Sequence, residues 1–445
     1  MSMGAIAKMP TYEAYKDSGV EWLGEVPEGW TLERLKFAAR INPTLRIDRE
    51  SYEELACFLP MESVETNGSV DFSVKKTISQ LKVGFTSFKR GDVILAKITP
   101  CFENGKGAYL ELMPTRYGFG STEFHVIRVL VNHSSKFIYY LTKSDLFMNL
   151  GERLMIGSAG QKRVSTQYVE NFKFASPSKE NQTLIANFLD QKTAQIDEAI
   201  AIKEQQIALL KERKQIVIQK AVTKGLDPDV PMKDSGVDWI GEIPAHWELR
   251  ANRSLYAERV EAGQEGLPLL MVSIHSGVSR EEVSSEENIR GRVRIEDKTK
   301  YIIVKPGDIV FNMMRAWQGG IGAVATEGMV SPAYIAAKPK ADIIAEFFEH
   351  QYRCPEFIQQ MDRYSKGITD FRKRLYWDSF KQLLTVVPPK DEQLKIIDQI
   401  QKLSESTEQT INMFQNQISK LKEYKTTLIN SAVTGKIRIT PEMVA

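Results

Sequence analysis

Residues 16–30 read KDSGVEWLGEVPEGW and residues 233–247 read KDSGVDWIGEIPAHW, identical at ten of fifteen positions. Three of the other five are Glu/Asp, Leu/Ile and Val/Ile exchanges. Internal repetition constrains architecture more strongly than composition does. Further matches follow in the same order. Lys89-Arg-Gly-Asp-Val-Ile pairs with Lys305-Pro-Gly-Asp-Ile-Val, Pro177-Ser-Lys-Glu-Asn-Gln with Pro388-Pro-Lys-Asp-Glu-Gln, and Ala221-Val-Thr with Ala432-Val-Thr. The chain is two copies of one plan: a Gly/Trp/Pro lead-in, a globular part and a long helix.

The long helices are read from apolar spacing. In residues 178–224, Leu189, Ile196, Ile200, Ile207, Leu210, Val217 and Ala221 recur at alternating intervals of three and four, with Thr193, Lys203 and Lys214 as polar members of the stripe. Moving along the chain gives Ile400, Thr407, Ile411, Ile418, Leu421, Leu428 and Ala432 in residues 389–434. Such a stripe is narrower than the face a helix buries in an ordinary core, and it predicts coiled-coil packing. Prolines block each start and glycines follow each end, at Gly225 and Gly435. About 45 residues at 1.5 Å each make a helix roughly 65–70 Å long, too long to bury its stripe in one such domain. The simplest partner is the other helix, antiparallel within the chain; a homodimeric coiled coil is the competing arrangement.

The predicted fold is α+β: two globular domains joined by two long antiparallel helices in an intramolecular coiled coil, with a pseudo-two-fold repeat. The predicted boundaries are 1–30 (lead-in), 31–177 (first globular domain), 178–225 (first long helix), 226–247 (linker and repeated lead-in), 248–388 (second globular domain), 389–435 (second long helix) and 436–445 (tail). Strands are predicted at 92–98, 123–131, 301–304, 308–313 and 333–337, and helices at 136–149 and 341–363. The second lead-in follows the end of the first helix. A spatial two-fold therefore places the first lead-in beside Gly435, with Trp22, Trp30, Trp239 and Trp247 as packing anchors.

Composition narrows the chemistry. A 445-residue chain with 42% apolar residues supports several cores, and a formal charge of +2 neither favours nor excludes a polyanionic partner. Cys57, Cys101 and Cys354 are scattered and odd in number, which fits a reducing compartment and excludes a CxxC zinc site. No apolar run reaches membrane-spanning length, so a cytoplasmic protein with no membrane partner is expected. The sequence has no phosphate-loop motif, no HExxH and no nucleophile elbow, and its histidines lack ligand spacing. Catalysis, metal binding and a cofactor on this chain are therefore not expected.

Basic residues in Gly-rich loops are the stronger signal. The first globular part carries Lys97, Lys106, Arg116, Gln161, Lys162 and Arg163; the second carries Arg290, Arg292, Arg294, Arg315, Lys366, Arg372, Lys373 and Arg374. Lys and Arg neutralise phosphates, and Arg and Gln also read base edges by paired hydrogen bonds. These residues are the candidate DNA contacts.

The lead-in motif, ITPCFENGKGA (98–108), GSTEFHVIR (120–128), MRAWQGGIG (314–322) and the two Pro…Gln boundaries resemble the specificity subunits of type I restriction-modification systems. That resemblance implies a non-catalytic reader of double-stranded DNA. Each globular part would be a target-recognition domain for one half of a bipartite site, and the coiled coil would set the spacer. It implies two methyltransferase subunits that bring S-adenosylmethionine, and restriction/translocase subunits that bring ATP and Mg. Two other readings stand beside it: the specificity subunit of a related multisubunit enzyme that cuts beside its site, and a coiled-coil interaction protein that never touches DNA.

Overall fold

A computed structural model describes residues 6, 8–158, 160–280, 297–367 and 373–444. The chain divides into two compact units, residues 1–204 with 414–445, and residues 205–413. Each contains both sheet and helix.

In the first unit an antiparallel sheet runs in the order Ala39–Ile41, Phe124–Val129, Val93–Ala96, Gly107–Tyr109. Val93–Ala96 is buried at every position, which is why it reads as an unbroken apolar run. The second unit repeats this order with Tyr256–Arg259, Tyr334–Pro339, Ile309–Asn312 and Ile321–Ala323. The first unit adds a four-stranded sheet of Lys75–Thr77, Leu55–Leu59, Tyr117–Gly120 and Thr86–Lys89. Among the described residues, the second unit instead has two separate strand pairs, Leu270–Ser273 with Gly277–Arg280 and Ile302–Val304 with Gly328–Val330.

The duplicated Lys-x-Gly-Asp turn has a physical role in both units. Gly91 (φ 87°) and Gly307 (φ 90°) take left-handed backbone. This brings Asp92 and Asp308, each 1% exposed, back to accept the amides of Lys89 and Lys305 at 2.9 Å. Each carboxylate also takes a two-pronged guanidinium, Arg128 in the first unit (2.9 and 2.7 Å) and Arg259 in the second (2.6 and 3.0 Å). Arg128 lies on the strand beside Val93–Ala96, whereas Arg259 comes from one strand further out. The same pair is therefore built from non-equivalent positions.

Both predicted mid-domain helices are broken in two. Ser144 ends Ser135–Thr142 and caps Asp145–Arg153 by accepting the Phe147 amide. Pro355 at the first turn of Pro355–Tyr364 separates it from Ala345–Tyr352. Lys143 sits at the first break, and its ammonium donates to the carbonyls of Thr66 (3.0 Å) and Gly105, pinning two loops. Burial, with a smaller push from Lys425, lowers its pKa to about 7. From pH 7 up to its ordinary 10.5, the folded chain thus binds fewer protons here than the unfolded one. Stability rises with pH across that window, and below it the full penalty of a buried ammonium applies. Urea titrations at pH 7 and 9.5 are expected to show part of this rise in the wild type and to lose that part in Lys143→Met.

The long helices are Lys179–Lys224 (46 residues) and Lys390–Val433 (44 residues). At their starts the Pro…Gln motif acquires a reason. Gln182 and Gln393, each 1% exposed, accept the amides of Ser134 (2.8 Å) and Ile344 (2.9 Å) and donate to the carbonyls of Pro177 (3.1 Å) and Pro388 (2.9 Å). Each glutamine ties its long helix to the globular part before it. At their ends, Gly225 (φ 81°) and Gly435 (φ 75°) close the helices, and a Cβ there would lie 3.3 Å from Trp247 and 3.2 Å from Trp30. Tyr15 donates to the Gly435 carbonyl at 3.1 Å, so the first lead-in packs on the end of the second long helix. Trp30 is the first lead-in's buried anchor and Trp247 the second's. Trp22 is not one: it is 46% exposed, and Trp239 is half-buried.

Leu189, Ile196, Ile200, Ile400, Ile418 and Leu428 of the stripe are buried, and Ile207, Leu210, Ile411 and Leu421 are half-buried. Val217 is a correction: it is 40% exposed, and Ile218 is buried in its place. A straight helix drifts relative to a seven-residue repeat. Here the last turns face a core containing Ile218, Ala221, Val222, Trp247, Ile396 and Ile400, which draws in the next residue. Within the first unit Lys425 pairs with Asp197 (2.7 Å) and the Lys203 ammonium lies 4.9 Å from the Phe414 ring centre. Within the second, Lys214 pairs with Glu408 (3.5 Å).

Candidate nucleic-acid interface

Part of the basic set lies at a hairpin in the first unit and beside a matching backbone clamp in the second. After Asp145–Arg153 the chain doubles back, with Ile156 and Arg163 exchanging amide–carbonyl bonds of 3.0 and 2.9 Å around residues 157–162. The returning arm is held on its other side, where Thr99 donates to the Lys162 carbonyl (2.9 Å) and Val164 to the Lys97 carbonyl (2.8 Å). Gly157 (φ 136°) supplies a backbone conformation that a side chain would strain. In the second unit Lys366 and Arg374 exchange two bonds of 2.9 Å, and Leu375 donates to the Met313 carbonyl at 2.9 Å. These bonds correspond one for one to those at Ile156/Arg163 and Val164/Lys97.

The side chains divide into free and committed. Gln161 and Lys162 are exposed at the first tip, and Lys162 borders an open groove of about 510 Å³ with Glu103, Asn149, Glu152 and Arg153. Arg163 is committed: its guanidinium donates to both oxygens of Glu123, at 2.9 and 2.8 Å. Those bonds, with Lys97 nearby, hold the Glu123 carboxyl below its ordinary range. Lys106 donates to the Met61 carbonyl at 3.0 Å, so its charge fastens a loop. Lys97 and Lys106 flank the 98–105 turn, joined through the Ala96 amide and the Lys106 carbonyl at 2.9 Å. Arg116 is exposed over the Tyr117 ring (5.0 Å), on the other sheet.

In the second unit Arg315 is exposed and donates to Gln318 at 2.7 Å. Lys373 donates to Asp362 (2.7 Å) and lies 5.2 Å from the Trp317 ring centre. Lys366 is exposed and Arg374 half-buried at the base of the tip. Arg290, Arg292, Arg294 and Arg372 lie outside the described residues. Sequence reasoning missed Glu123 and Trp317, the groups that orient Arg163 and Lys373. Trp317 lies inside the MRAWQGGIG motif and was open to recognition; nothing local marks Glu123. His125, 1% exposed, donates to the Val164 carbonyl (3.0 Å) just beyond the hairpin, and burial lowers its pKa. It is a packing residue.

Residues 59–212 match the family model of the type I restriction modification DNA specificity domain. Over that stretch the chain is similar to the specificity domain. The match contains the first unit's hairpin, its clamp and about the first three quarters of the first long helix. The specificity subunits of the Escherichia coli type I restriction enzymes EcoEI and EcoAI are similar, at 34% identity over 196 residues and 36% over 198. Both alignments cover 43% of this chain and 32% of the relative, so the chain spans about a third of the relatives' length. A structure bearing on complex assembly and conformational transition of the type I R-M system superposes with a TM-score of 0.68 at 15% identity, covering 92% of this chain and 98% of that one. The HsdS subunit from Thermoanaerobacter tengcongensis gives 0.55 at 15% identity, covering 93% and 98%. At that identity these two comparisons speak for the fold alone. No helix among the described residues is long and apolar enough to cross a membrane.

Proposed function

We propose that the chain is a sequence-specific DNA-recognition subunit of a type I restriction-modification complex, with each globular part reading one half of a bipartite site. The observation that carries this is the pair of equivalent backbone clamps, Ile156/Arg163 and Lys366/Arg374, in two units that share one sheet order and differ in their remaining strands. A shared clamp with divergent surroundings suits one scaffold presenting two specificities. In the first unit Gln161 and Lys162 face the DNA, while Arg163 and Lys106 hold the loops that present them. Phosphate contacts supply affinity and base contacts supply sequence.

The long helices act as the spacer, paired antiparallel within the chain. The ion pairs Asp197–Lys425 and Lys214–Glu408 support this, because residue numbers fall on one helix as they rise on the other. The chain itself is non-catalytic in this reading. Two methyltransferase subunits bring S-adenosylmethionine, and restriction/translocase subunits bring ATP and Mg. The complex works in the cytoplasm.

The test is a mobility shift with the methyltransferase subunit present, followed by methylation mapping. Binding is expected to be sequence-dependent and to weaken steeply between low and physiological salt. Gln161→Ala/Lys162→Ala is expected to relax one half-site and spare the other; each lost base contact costs about 1–3 kcal/mol of discrimination. No sequence-dependent retardation of any genomic fragment would remove this reading.

A further inference from the structure

The repeated lead-in allows each retained residue to be checked for a structural role, and most have one. Lys16 and Lys233 donate to the carbonyls of Glu28 and Trp247, both at 2.6 Å. Asp17 and Asp234 accept the amides of Gly19 and Gly236 at 2.9 Å, and Ser18 and Ser235 accept those of Val20 and Val237 at 3.2 Å. Trp30 and Trp247 are buried. Three positions remain without such a role: Trp22/Trp239, Glu25/Glu242 and the conservative Glu21/Asp238. The side chains of Glu21, Trp22 and Glu25 have no hydrogen-bond or ion-pair partner among the described residues.

Retaining the carboxylates opposes stability. Asp17 stands directly across the hairpin from Glu25, and Asp234 across from Glu242. Like charges in that register repel, yet both copies keep them. Three acidic positions also rule the hairpin out as a surface for phosphates. The second copy shows what the ring takes. The Arg363 guanidinium lies 4.9 Å from the Trp239 ring centre, whereas Trp22 is 46% exposed with nothing stacked on it among the described residues.

We propose that Trp22, with Glu21 and Glu25 in the same hairpin, is a socket for an arginine or lysine side chain of a methyltransferase subunit, and that Arg363 fills the equivalent socket from within the chain. A cation over an indole face gains from the ring quadrupole, and carboxylates at its rim add Coulomb attraction. The first copy suits a partner because its ring is left exposed where the second copy's is covered from within the chain. The socket rests on the function proposed above and adds the place of docking.

The experiment titrates the full chain with the methyltransferase subunit in moderate salt. Trp22→Ala is expected to weaken binding about tenfold, and Glu21→Lys/Glu25→Lys by more, since it replaces attraction with repulsion. Trp22→Phe, which keeps a ring face, is expected to bind better than Trp22→Leu, which keeps only apolar bulk. All three substituted positions are exposed; should Trp22→Ala fold poorly, the charge reversal carries the test alone. Wild-type affinity in the charge-reversed chain, or equal binding by the Phe and Leu variants, overturns the socket and leaves the proposed function standing. A wild-type chain that binds no methyltransferase subunit overturns both.

Discussion

Inserting four residues into each long helix is expected to lengthen the spacer of the recognised DNA site by about one or two base pairs, with both half-sites unchanged. Four helical residues add about 6 Å, and B-DNA rises about 3.4 Å per base pair. The insertion belongs away from the globular cores, between Leu210 and Lys214 on the first helix and between Glu408 and Ile411 on the second. There Lys214 already pairs with Glu408. Closer to the ends it would displace Gln182 or Gln393, or pull Ile218 and Val222 out of the second unit's core. Single-molecule methylation mapping reads both half-sites and the gap in one experiment. Altered half-sites at constant spacing would end the ruler model.

Replacing Asp92 by Ala is expected to cost the first unit about 3–5 kcal/mol, the range for breaking a buried ion pair from one side. The carboxylate is 1% exposed and satisfies the Lys89 amide as well as Arg128, which keeps a charge at 18% exposure after the substitution. Asp308→Ala is expected to destabilise the second unit in the same direction, where Arg259 is 10% exposed but retains Glu261 as a second partner. The loss should therefore be smaller there. Urea unfolding followed by tryptophan fluorescence measures both, with Trp30 buried in one unit and Trp247 in the other. An equal, small loss in the two variants would mean the paired turns are surface features.

The sequence alone determined the plan: two copies, two long helices, and the turns and caps that bound them. It could do so because these features are local. A Lys-x-Gly-Asp turn, a proline before a helix, a glycine after it and an apolar residue every three or four positions each act on neighbours in the chain. The predicted strands at 92–98 and 308–313 appear as Val93–Ala96 and Ile309–Asn312 for the same reason. The tertiary structure decided what depends on distant partners. Arg163 read as a free DNA contact until Glu123, forty residues away, took both prongs of its guanidinium. Lys106 was committed by Met61, and Val217 gave way to Ile218 because a core not visible in the helical register lay to one side. Trp22 and Trp239 look alike in sequence, and only the fold puts a guanidinium over one of them. Spacing reports which face a residue occupies, but whether its charge is free depends on groups that folding brings from elsewhere in the chain.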